Sequence, residues 1–205
     1  MPRRKPEEAA QTRRAIVASA RKLFTERGFA GTATTDIVTS AGVTRGALYH
    51  HFADKTDLFR AVFVDLEHEL NDTVMTAALA AADAGARAAF LAGCRTWMGF
   101  ATRADYRQIA VVDAPAVLGH EEWHAVDASI GLASMEAGLA GLHGEGLVDR
   151  PPDRALAVLL FGALTEAGLA AARGDLDADE LFAAFESLVD RLAPAPRDQA
   201  DDSTG

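Results

Sequence analysis

The stretch of sequence that decides the fold runs from residue 34 to residue 52 and reads TTDIVTSAGVTRGALYHHF. Apolar residues recur at helical spacing in its first half, and Gly42 ends that helix after about two turns. Val43 follows as the apolar residue of the turn, and Thr44 can cap a second short helix that extends to about His51. The pattern therefore predicts two short helices joined by a tight turn that contains glycine.

Helical patterns continue on both sides of this stretch. An amphipathic helix precedes it, and Gly28 closes that helix, as glycine does just after a helix C-terminus. Asp54 is expected to cap a fourth helix, with Asp57 at the capping-box position. The sequence therefore predicts a helix-turn-helix domain over residues 12–58, which a long helix over residues 54–80 joins to the rest of the chain.

Charge is distributed unevenly along the chain. The net charge is −10, but residues 1–60 carry 11 Lys and Arg against 6 Asp and Glu, whereas residues 61–205 carry 9 against 24. Because phosphates are neutralised locally, an acidic protein can still bind nucleic acid through a basic segment. Residues 1–11 are basic and polar and are predicted to form a flexible arm.

The predicted pair of short helices suits binding to DNA. In a helix-turn-helix, the first helix holds the second against the domain core, and the second enters the major groove. Small or polar residues occupy the first half of the second helix, where backbone and bases must approach each other; they are Thr44, Arg45, Gly46 and Ala47. The alternative is an ordinary helical hairpin in an all-α protein.

The segment from about Arg13 to Leu70 resembles the N-terminal domain of the TetR family of transcriptional regulators. The likeness rests on many matches at fixed spacing over roughly 45 residues, which is more specific than a single short motif. The matching positions are Leu23 to Phe29, Thr34-Thr35, Ile37, Ala41-Gly42-Val43, Gly46, Leu48-Tyr49, Phe52, Lys55 and Leu58-Phe59.

The resemblance implies DNA-binding roles for nine residues, namely Thr34, Thr35, Thr44, Arg45, Gly46, Ala47, Tyr49, His50 and Lys55. Arg45 is expected to read guanine through two hydrogen bonds, worth about 1–3 kcal/mol of discrimination. Phosphate contacts are expected from Thr34, Tyr49, His50 and Lys55. Ala47 lacks the hydrogen-bonding group that many relatives carry, which leaves base readout to Arg45 and Thr44. Tyr49 could instead cover the domain core.

The resemblance also implies the partners. It implies a homodimer on a palindromic double-stranded operator, and a repressor that a small molecule bound in the second domain releases from DNA. The basic arm, through Arg3, Arg4 and Lys5, is expected to reach the adjacent backbone or the minor groove. A constitutive or architectural DNA-binding protein, with a filled second domain and no ligand, is the rival hypothesis.

The predicted fold is all-α, with a three-helix helix-turn-helix domain followed by a larger helical domain for ligand binding and dimerisation. This second domain is predicted to span residues 59–193, and residues 194–205 are predicted to be a disordered tail. Its predicted helices lie at about 85–103, 105–112, 120–143, 153–173 and 178–192, with glycine- and proline-containing breakers such as Pro115 between them.

About 130 residues of helix with thinly spread aromatic side chains can enclose an apolar cavity. The candidate ligand-binding residues are Phe63, Phe90, Arg95, Trp97, Phe100, Tyr106, Asp113, Trp123, Met135 and Glu166. Three of them, Arg95, Asp113 and Glu166, are charged groups inside apolar runs, where a buried charge must be paired or used. The alternative for these three is an internal pair between Arg95 and a carboxylate.

The last two helices are rich in Ala, Leu and Gly. Small residues such as Gly162, Ala163 and Gly168 permit close helix approach, which suits a four-helix bundle made by two subunits. The resemblance implies the same dimer. Core packing within one subunit is the alternative, and the two are compatible.

A metal-binding motif also occurs, because residues 120–124 read HEEWH and place two histidines on one helix face. A catalytic zinc needs a third protein ligand, and the next histidine, His143, lies about five turns further on. Acidic residues at a helix start and a half-buried Trp123 explain the pattern more simply. We therefore predict no metal, no cofactor and no enzymatic activity, although a metal-dependent hydrolase remains a second hypothesis.

The cysteine content and the apolar runs of the sequence indicate the cellular compartment. The single cysteine, Cys94, is expected to be a small core residue. No uninterrupted apolar run reaches the about 18 residues of a membrane span, and the N-terminus lacks the apolar core of a signal peptide. We predict a cytoplasmic protein with no membrane partner.

Overall fold

The computed structural model describes residues 6–149, 151 and 153–192, and every regular element in those ranges is helical, as predicted. The α-helices are α1 (Pro6–Arg27), α2 (Thr34–Ala41), α3 (Arg45–His51), α4 (Lys55–Ala81), α5 (Ala86–Ala101), α6 (Ala104–Tyr106), α7 (Ala114–Leu118), α8 (His120–Gly144), α9 (Arg154–Arg173) and α10 (Ala178–Asp190). A short 3₁₀ turn (Ala82–Ala84) follows α4, and a π-helical segment (Arg107–Asp113) joins α6 to α7.

The first helix begins earlier than predicted. Residues 6–11, assigned to a flexible arm, form the first turns of α1. Pro6 suits a helix start because its missing N–H would have no partner there, and Glu7 and Glu8 interact favourably with the helix dipole. The remaining arm residues Arg3, Arg4 and Lys5 lie outside the described residues, as does the predicted tail.

The first three helices and the start of α4 share a core, and we call this part of the molecule the head. Its centre consists of side chains with no exposed area, among them Ile16, Phe24, Ile37, Leu48 and Phe59. Phe24 and Phe59 meet edge to face at 5.3 Å between ring centroids, an arrangement that aromatic pairs favour. The two short helices are thereby fixed against α1 and α4.

Left-handed glycines turn the chain where the sequence predicted. Gly42 has φ +65°, and its N–H bonds to carbonyls of Val38 and Thr39, which ends α2. Gly28 has φ +69° at the end of α1. Residues with a Cβ rarely adopt this conformation, so both positions favour glycine.

The long helix α4 joins the head to the second domain. Asp54 caps it by accepting a 2.8 Å hydrogen bond from the Asp57 N–H, and the Asp57 carboxylate accepts one from the Ala53 N–H. The predicted cap is confirmed. The buried face of α4 runs from Leu58 to Leu70, and its residues belong to one connected set of buried side chains that extends from the head into the second domain.

In the second domain, α5 packs along α4, and α8, α9 and α10 complete the bundle. Pro115 does not separate two helices, contrary to prediction. It lies in the first turn of α7, directly after the π-helical segment, where its missing N–H is tolerated. A π-helical segment of seven residues is rare, and such segments occur often at functional sites.

Candidate DNA-binding surface and ligand cavity

The recognition candidate α3 lies exposed at the outer side of the head. Leu48 anchors it with no exposed area, whereas Arg45, Tyr49 and His50 are exposed. The Thr44 hydroxyl caps the helix by accepting a 3.1 Å hydrogen bond from the Ala47 N–H. The helix therefore presents its first turn and its polar side chains outward while a single buried leucine holds it in place.

Tyr49 lies between Arg45 and the start of α2. The Arg45 guanidinium carbon is 5.5 Å from the centroid of the Tyr49 ring. Hydrogen bonding to Thr34, and then to Arg45, lowers the pKa of the Tyr49 hydroxyl. The N-cap position of α2 is occupied by Ala33, so no side chain caps the free N–H groups at the start of this helix. Three polar side chains and the N–H groups of a helix start thus converge on one surface, an arrangement that suits a phosphate.

The surface around α3 also leaves room for close approach. A Cβ placed on Gly46 would meet only the Thr44 hydroxyl, at 3.9 Å. Nothing within the protein therefore requires glycine at this exposed position. Close approach of a DNA backbone is a reason for it that lies outside the chain.

Lys55, to which a phosphate contact was assigned, is half-buried and hydrogen-bonded within the head. Its Nζ donates hydrogen bonds to the carbonyls of Phe29 (2.9 Å) and Thr32 (3.0 Å), and it lies 4.0 Å from the centroid of the Phe29 ring. Two of the three donors of the ammonium are therefore occupied inside the head. The side chain closes the loop between α1 and α2, which the position of a lysine in the sequence does not reveal.

The head is tied to the second domain by a carboxylate. Asp113, at the end of the π-helical segment, accepts a 2.8 Å hydrogen bond from the Phe29 N–H. The same carboxylate accepts one from the Gln108 amide at 3.2 Å. A Cβ on Gly28 would lie 3.3 Å from that amide, so the two parts approach closely.

Ion pairs reinforce the junction. Arg21 of α1 contacts Glu69 of α4 at 2.5 Å and Asp105 of α6 at 2.6 Å. Arg103 contacts the same two carboxylates at 2.9 and 2.8 Å. Hydrogen bonding with the two arginines lowers the pKa of Glu69, whereas for Asp105 burial raises the pKa but the same hydrogen bonds outweigh it. Networked pairs of this kind hold an interface in register better than isolated surface pairs do.

The second domain contains a cavity of about 270 Å³ between α4, α5, α8 and α9. Its wall is almost entirely apolar, with Leu70, Val74 and Ile130 among its members. Drug-sized ligand sites measure about 300–1,000 Å³, so this cavity suits a small ligand. The rival hypothesis of a completely filled second domain does not account for it.

Three of the ten predicted ligand-binding residues, Phe90, Trp97 and Met135, line the cavity. Four others are buried but belong to the surrounding core instead: Phe63, Phe100, Tyr106 and Trp123. Aromatic residues at helical spacing do not reveal from sequence alone which of them face a void.

The three charged candidates lie outside the cavity, contrary to prediction. Arg95 is 57% exposed, pairs with Asp179 at 2.9 Å and stacks over Phe182 at 4.0 Å. Glu166 is exposed on α9 and pairs with Arg173, and Asp113 serves the junction described above. An arginine carboxylate pair does exist, but it is on the surface, because Arg95 occupies the face of α5 that is turned toward α10.

Two buried carboxyl groups that were not predicted do line the cavity. Glu67 of α4 and Asp127 of α8 are 3% and 4% exposed. Burial, followed by repulsion from Asp127, raises the pKa of Glu67 to about 8, and burial raises the pKa of Asp127 to about 7. The sequence held a signal for both: Glu67 follows Phe63, and Asp127 follows Trp123, by four residues, which places each carboxyl on the same helix face as a candidate ligand-binding residue.

The HEEWH motif lies in the first turns of α8. The rings of His120 and His124 lie 6.2 Å apart, and Glu122 forms an ion pair with Arg60 of α4. Among the described residues, no group of three or more His, Cys, Asp or Glu side chains is placed to hold a metal ion. Trp123 is buried rather than half-buried.

The outer face of α9 is apolar and exposed. Leu159 is 70% and Val158 49% exposed, and a Cβ on Gly162 would meet nothing within 4 Å. By length and a mean hydropathy of 1.9 alone, α9 is the one helix among the described residues that could span a membrane, and 33% of that window is buried. Gly168, in contrast, packs within the subunit, where a Cβ would lie 1.8 Å from the Trp97 ring.

Comparison with known proteins agrees with this architecture. Residues 16–62 match the model of bacterial regulatory proteins of the tetR family, and residues 87–193 match that of the tetracyclin repressor-like C-terminal domain. The structure of a TetR-family transcriptional regulator from Pectobacterium atrosepticum superposes with a TM-score of 0.76 and 32% identity, over 95% of this chain and 100% of that one.

Similarity to two named relatives covers about a third of this chain or less. The transcriptional repressor BepR of Brucella suis is 50% identical over 60 residues, which is 29% of each chain. The regulator TtgR of Pseudomonas putida is 47% identical over 72 residues, which is 35% of this chain and 34% of TtgR. The chain thus matches only about a third of the length of these two relatives. The two family matches and the full-length structural match nevertheless establish that this chain belongs to the TetR family of DNA-binding transcriptional regulators, which are not enzymes.

Proposed function

We propose that the protein is a homodimeric repressor that binds a palindromic operator through α3 and leaves it when a small molecule occupies the cavity of the second domain. The observation that carries this proposal is the exposure of α3 on a head that the long helix α4 connects to an apolar cavity. Such a regulator acts on the chromosome, so we place it in the cytoplasm.

Direct readout is assigned to Arg45 and Thr44, with contacts to the backbone from Thr34, Thr35, Tyr49 and His50. Arg45 is exposed in the first turn of α3, the part of a recognition helix that meets base edges. Gly46 and Ala47 allow the helix to approach closely. Lys55 contributes chiefly by holding the loop between α1 and α2, because its donors are occupied there.

Dimerisation is assigned to α9 and α10. The exposed apolar side chains Val158, Leu159 and Leu188 lie on these two helices, and Gly162 leaves space for a second backbone. Pairing with a second copy covers this face and creates a four-helix bundle. It also places two heads on one molecule, as half-sites about 34–36 Å apart require.

Release is assigned to a population shift. A ligand that binds more tightly to one arrangement of the two heads favours that arrangement by its differential binding free energy. The route runs along α4, which lines the cavity with Glu67 and Leu70 and packs the head with Phe59. The contact between Asp113 and Phe29 offers a second route through the π-helical segment.

The experiment is a selection of bound sequences from a random duplex pool, followed by mobility-shift titration at several salt concentrations. A palindromic consensus is expected. Arg45→Ala should relax preference at one base position in each half-site, by about 1–3 kcal/mol. Arg107→Ala, which removes an exposed arginine of the second domain, is the control and should leave that preference unchanged. An unchanged consensus for the Arg45 variant, or no duplex binding at low salt, would contradict the proposal.

A further inference from the structure

The polar groups that line the cavity of the second domain are unusual. Among its described lining residues there is no lysine, arginine or histidine, yet two carboxyl groups belong to it. Oε1 of Glu67 and Oδ2 of Asp127 are buried and have no hydrogen-bond partner. Burying an unpaired carboxyl oxygen is costly, so native proteins usually supply a partner, and a hydrogen-bond donor on a ligand would satisfy these two oxygens.

No described basic side chain lines the cavity. Arg21 and Arg103, which contact Glu69 on the same helix as Glu67, form a surface network with Glu69 and Asp105. No basic side chain is among the causes that set the pKa values of Glu67 and Asp127: burial and then Asp127 raise the pKa of Glu67, a hydrogen bond with the Tyr106 hydroxyl lowers it, and burial raises the pKa of Asp127. Without a ligand, the two carboxyl groups are therefore held close together in an apolar wall with no compensating charge.

The rest of the wall suits an organic cation. The aromatic rings of Phe90, Trp97 and Phe161 line the cavity, and aromatic faces attract cations, most strongly where water is excluded. The other polar lining groups, Ser134 and Asn71, satisfy each other through a 2.7 Å hydrogen bond. Glu67 and Asp127 are thus the groups left to recognise a ligand.

Resting on the proposed function, we infer that the ligand of this cavity is a small lipophilic amine, bound as its ammonium ion by the carboxylates of Glu67 and Asp127. The ammonium replaces the protons that these groups otherwise retain, and it is bound by charge-assisted hydrogen bonds. The apolar body of the amine fills the space between α4, α5, α8 and α9.

Binding should therefore release protons. The titratable groups that face this site are Glu67 on α4, Cys94 on α5, Asp127 on α8 and Tyr106, which precedes the π-helical segment; α9 lines it with Phe161 and Leu164. Burial raises the pKa of Cys94 to about 12 and that of Tyr106 well above its ordinary value, so neither ionises near neutral pH. The released protons come from the two carboxyl groups.

The test uses three probes of nearly the same shape: 4-phenylbutylamine, the neutral 4-phenylbutan-1-ol and the anionic 4-phenylbutanoate. Isothermal titration calorimetry of the full-length protein at pH 7.5, in buffers of different ionisation enthalpy, measures affinity and proton release together. We expect the amine to bind at least about tenfold more tightly than the alcohol, with net proton release, and the carboxylate not to bind.

Two isosteric substitutions locate the site. The double variant Glu67→Gln, Asp127→Asn should lose at least about tenfold in amine affinity and all proton release, while alcohol affinity stays within about threefold. Equal affinity for amine and alcohol, no amine binding, or an unchanged double variant would each overturn the inference. If the double variant fails to fold, proton release and charge preference in the wild type still decide it.

A parallel mobility-shift titration separates this inference from the proposed function. If the amine binds as expected but the operator complex persists, the ligand class stands and the release mechanism fails. If the alcohol or the carboxylate binds best and releases DNA, the release mechanism stands and the ligand class fails.

Discussion

The carboxylate of Asp113 accepts a 2.8 Å hydrogen bond from the backbone N–H of Phe29, which joins the end of the π-helical segment to the loop that follows α1. This bond connects the second domain to a turn of the head that lies beside Lys55 and Thr32. A backbone N–H bound by a carboxylate is a stronger tie than a neutral pair. A shift of the π-helical segment is therefore expected to move the loop after α1 through this hydrogen bond.

Removing this carboxylate should loosen the head without unfolding it. Asp113→Ala leaves the Phe29 N–H without its partner, so its hydrogen exchange measured by NMR should accelerate about tenfold or more. Asp113→Asn keeps an acceptor oxygen and is the matched control. Equal exchange rates in the alanine variant and the wild type would show that the bond does not restrain this loop.

Lys55 is expected to matter for stability more than for DNA contact. Lys55→Met retains the aliphatic stem but removes two hydrogen bonds and the contact with the Phe29 ring, which should lower the free energy of unfolding by about 1–3 kcal/mol. Chemical denaturation measures it, and Lys22→Met, at an exposed position on α1, is the control. If the Lys55→Met variant is as stable as the wild type but its DNA binding depends less on salt, Lys55 contacts a phosphate instead.

Leu159→Arg should dissociate the dimer, because it places a charge in the centre of the exposed apolar face of α9. Sedimentation velocity should then report a monomer, and operator affinity should fall because two heads no longer bind together. Leu79→Arg, at a position of almost equal exposure (71% against 70%) on α4, should leave the oligomeric state unchanged. A dimer that survives Leu159→Arg would place the interface elsewhere.

The stability of the protein should fall as pH rises through the neutral range. Glu67 has a pKa of about 8 in the folded protein against an ordinary value of 4.5, so between these values the folded state holds a proton that the unfolded state has lost. Each such group lowers the free energy of unfolding by up to about 1.4 kcal/mol per pH unit.

The variant Glu67→Gln should flatten this slope, and at pH 8 to 9 it should be more stable than the wild type. Thermal denaturation at a series of pH values measures the effect. An equal slope in the variant and the wild type would mean that Glu67 titrates normally in the folded protein.

Gly168 should not tolerate a side chain. A Cβ there would lie 1.8 Å from the rigid Trp97 ring, so Gly168→Ala should cost about 1–3 kcal/mol of stability. Gly99→Ala, on the exposed face of α5 with nothing within 4 Å, should instead gain up to about 1 kcal/mol through helix propensity. Chemical denaturation measures both variants, and an equal loss of stability in the two would contradict this prediction.

The head could be predicted from the sequence because its signals are local. Glycines at Gly28 and Gly42, the caps at Thr44 and Asp54, and the apolar spacing around Leu48 each act over a few residues, so their meaning does not depend on distant contacts. Even there, the direction of the Lys55 side chain depended on carbonyls of a loop more than twenty residues earlier in the chain.

The second domain shows what the tertiary structure alone decided. The spacing of apolar residues predicts the helices but not the rotation of each helix about its own axis. That rotation determines whether a side chain faces the cavity, the core or solvent. It turned Arg95 outward toward Asp179 and brought Glu67 of α4 and Asp127 of α8 together across the bundle. Local signals in the sequence thus determined the helices and the reading head, whereas long-range packing decided the chemistry of the cavity.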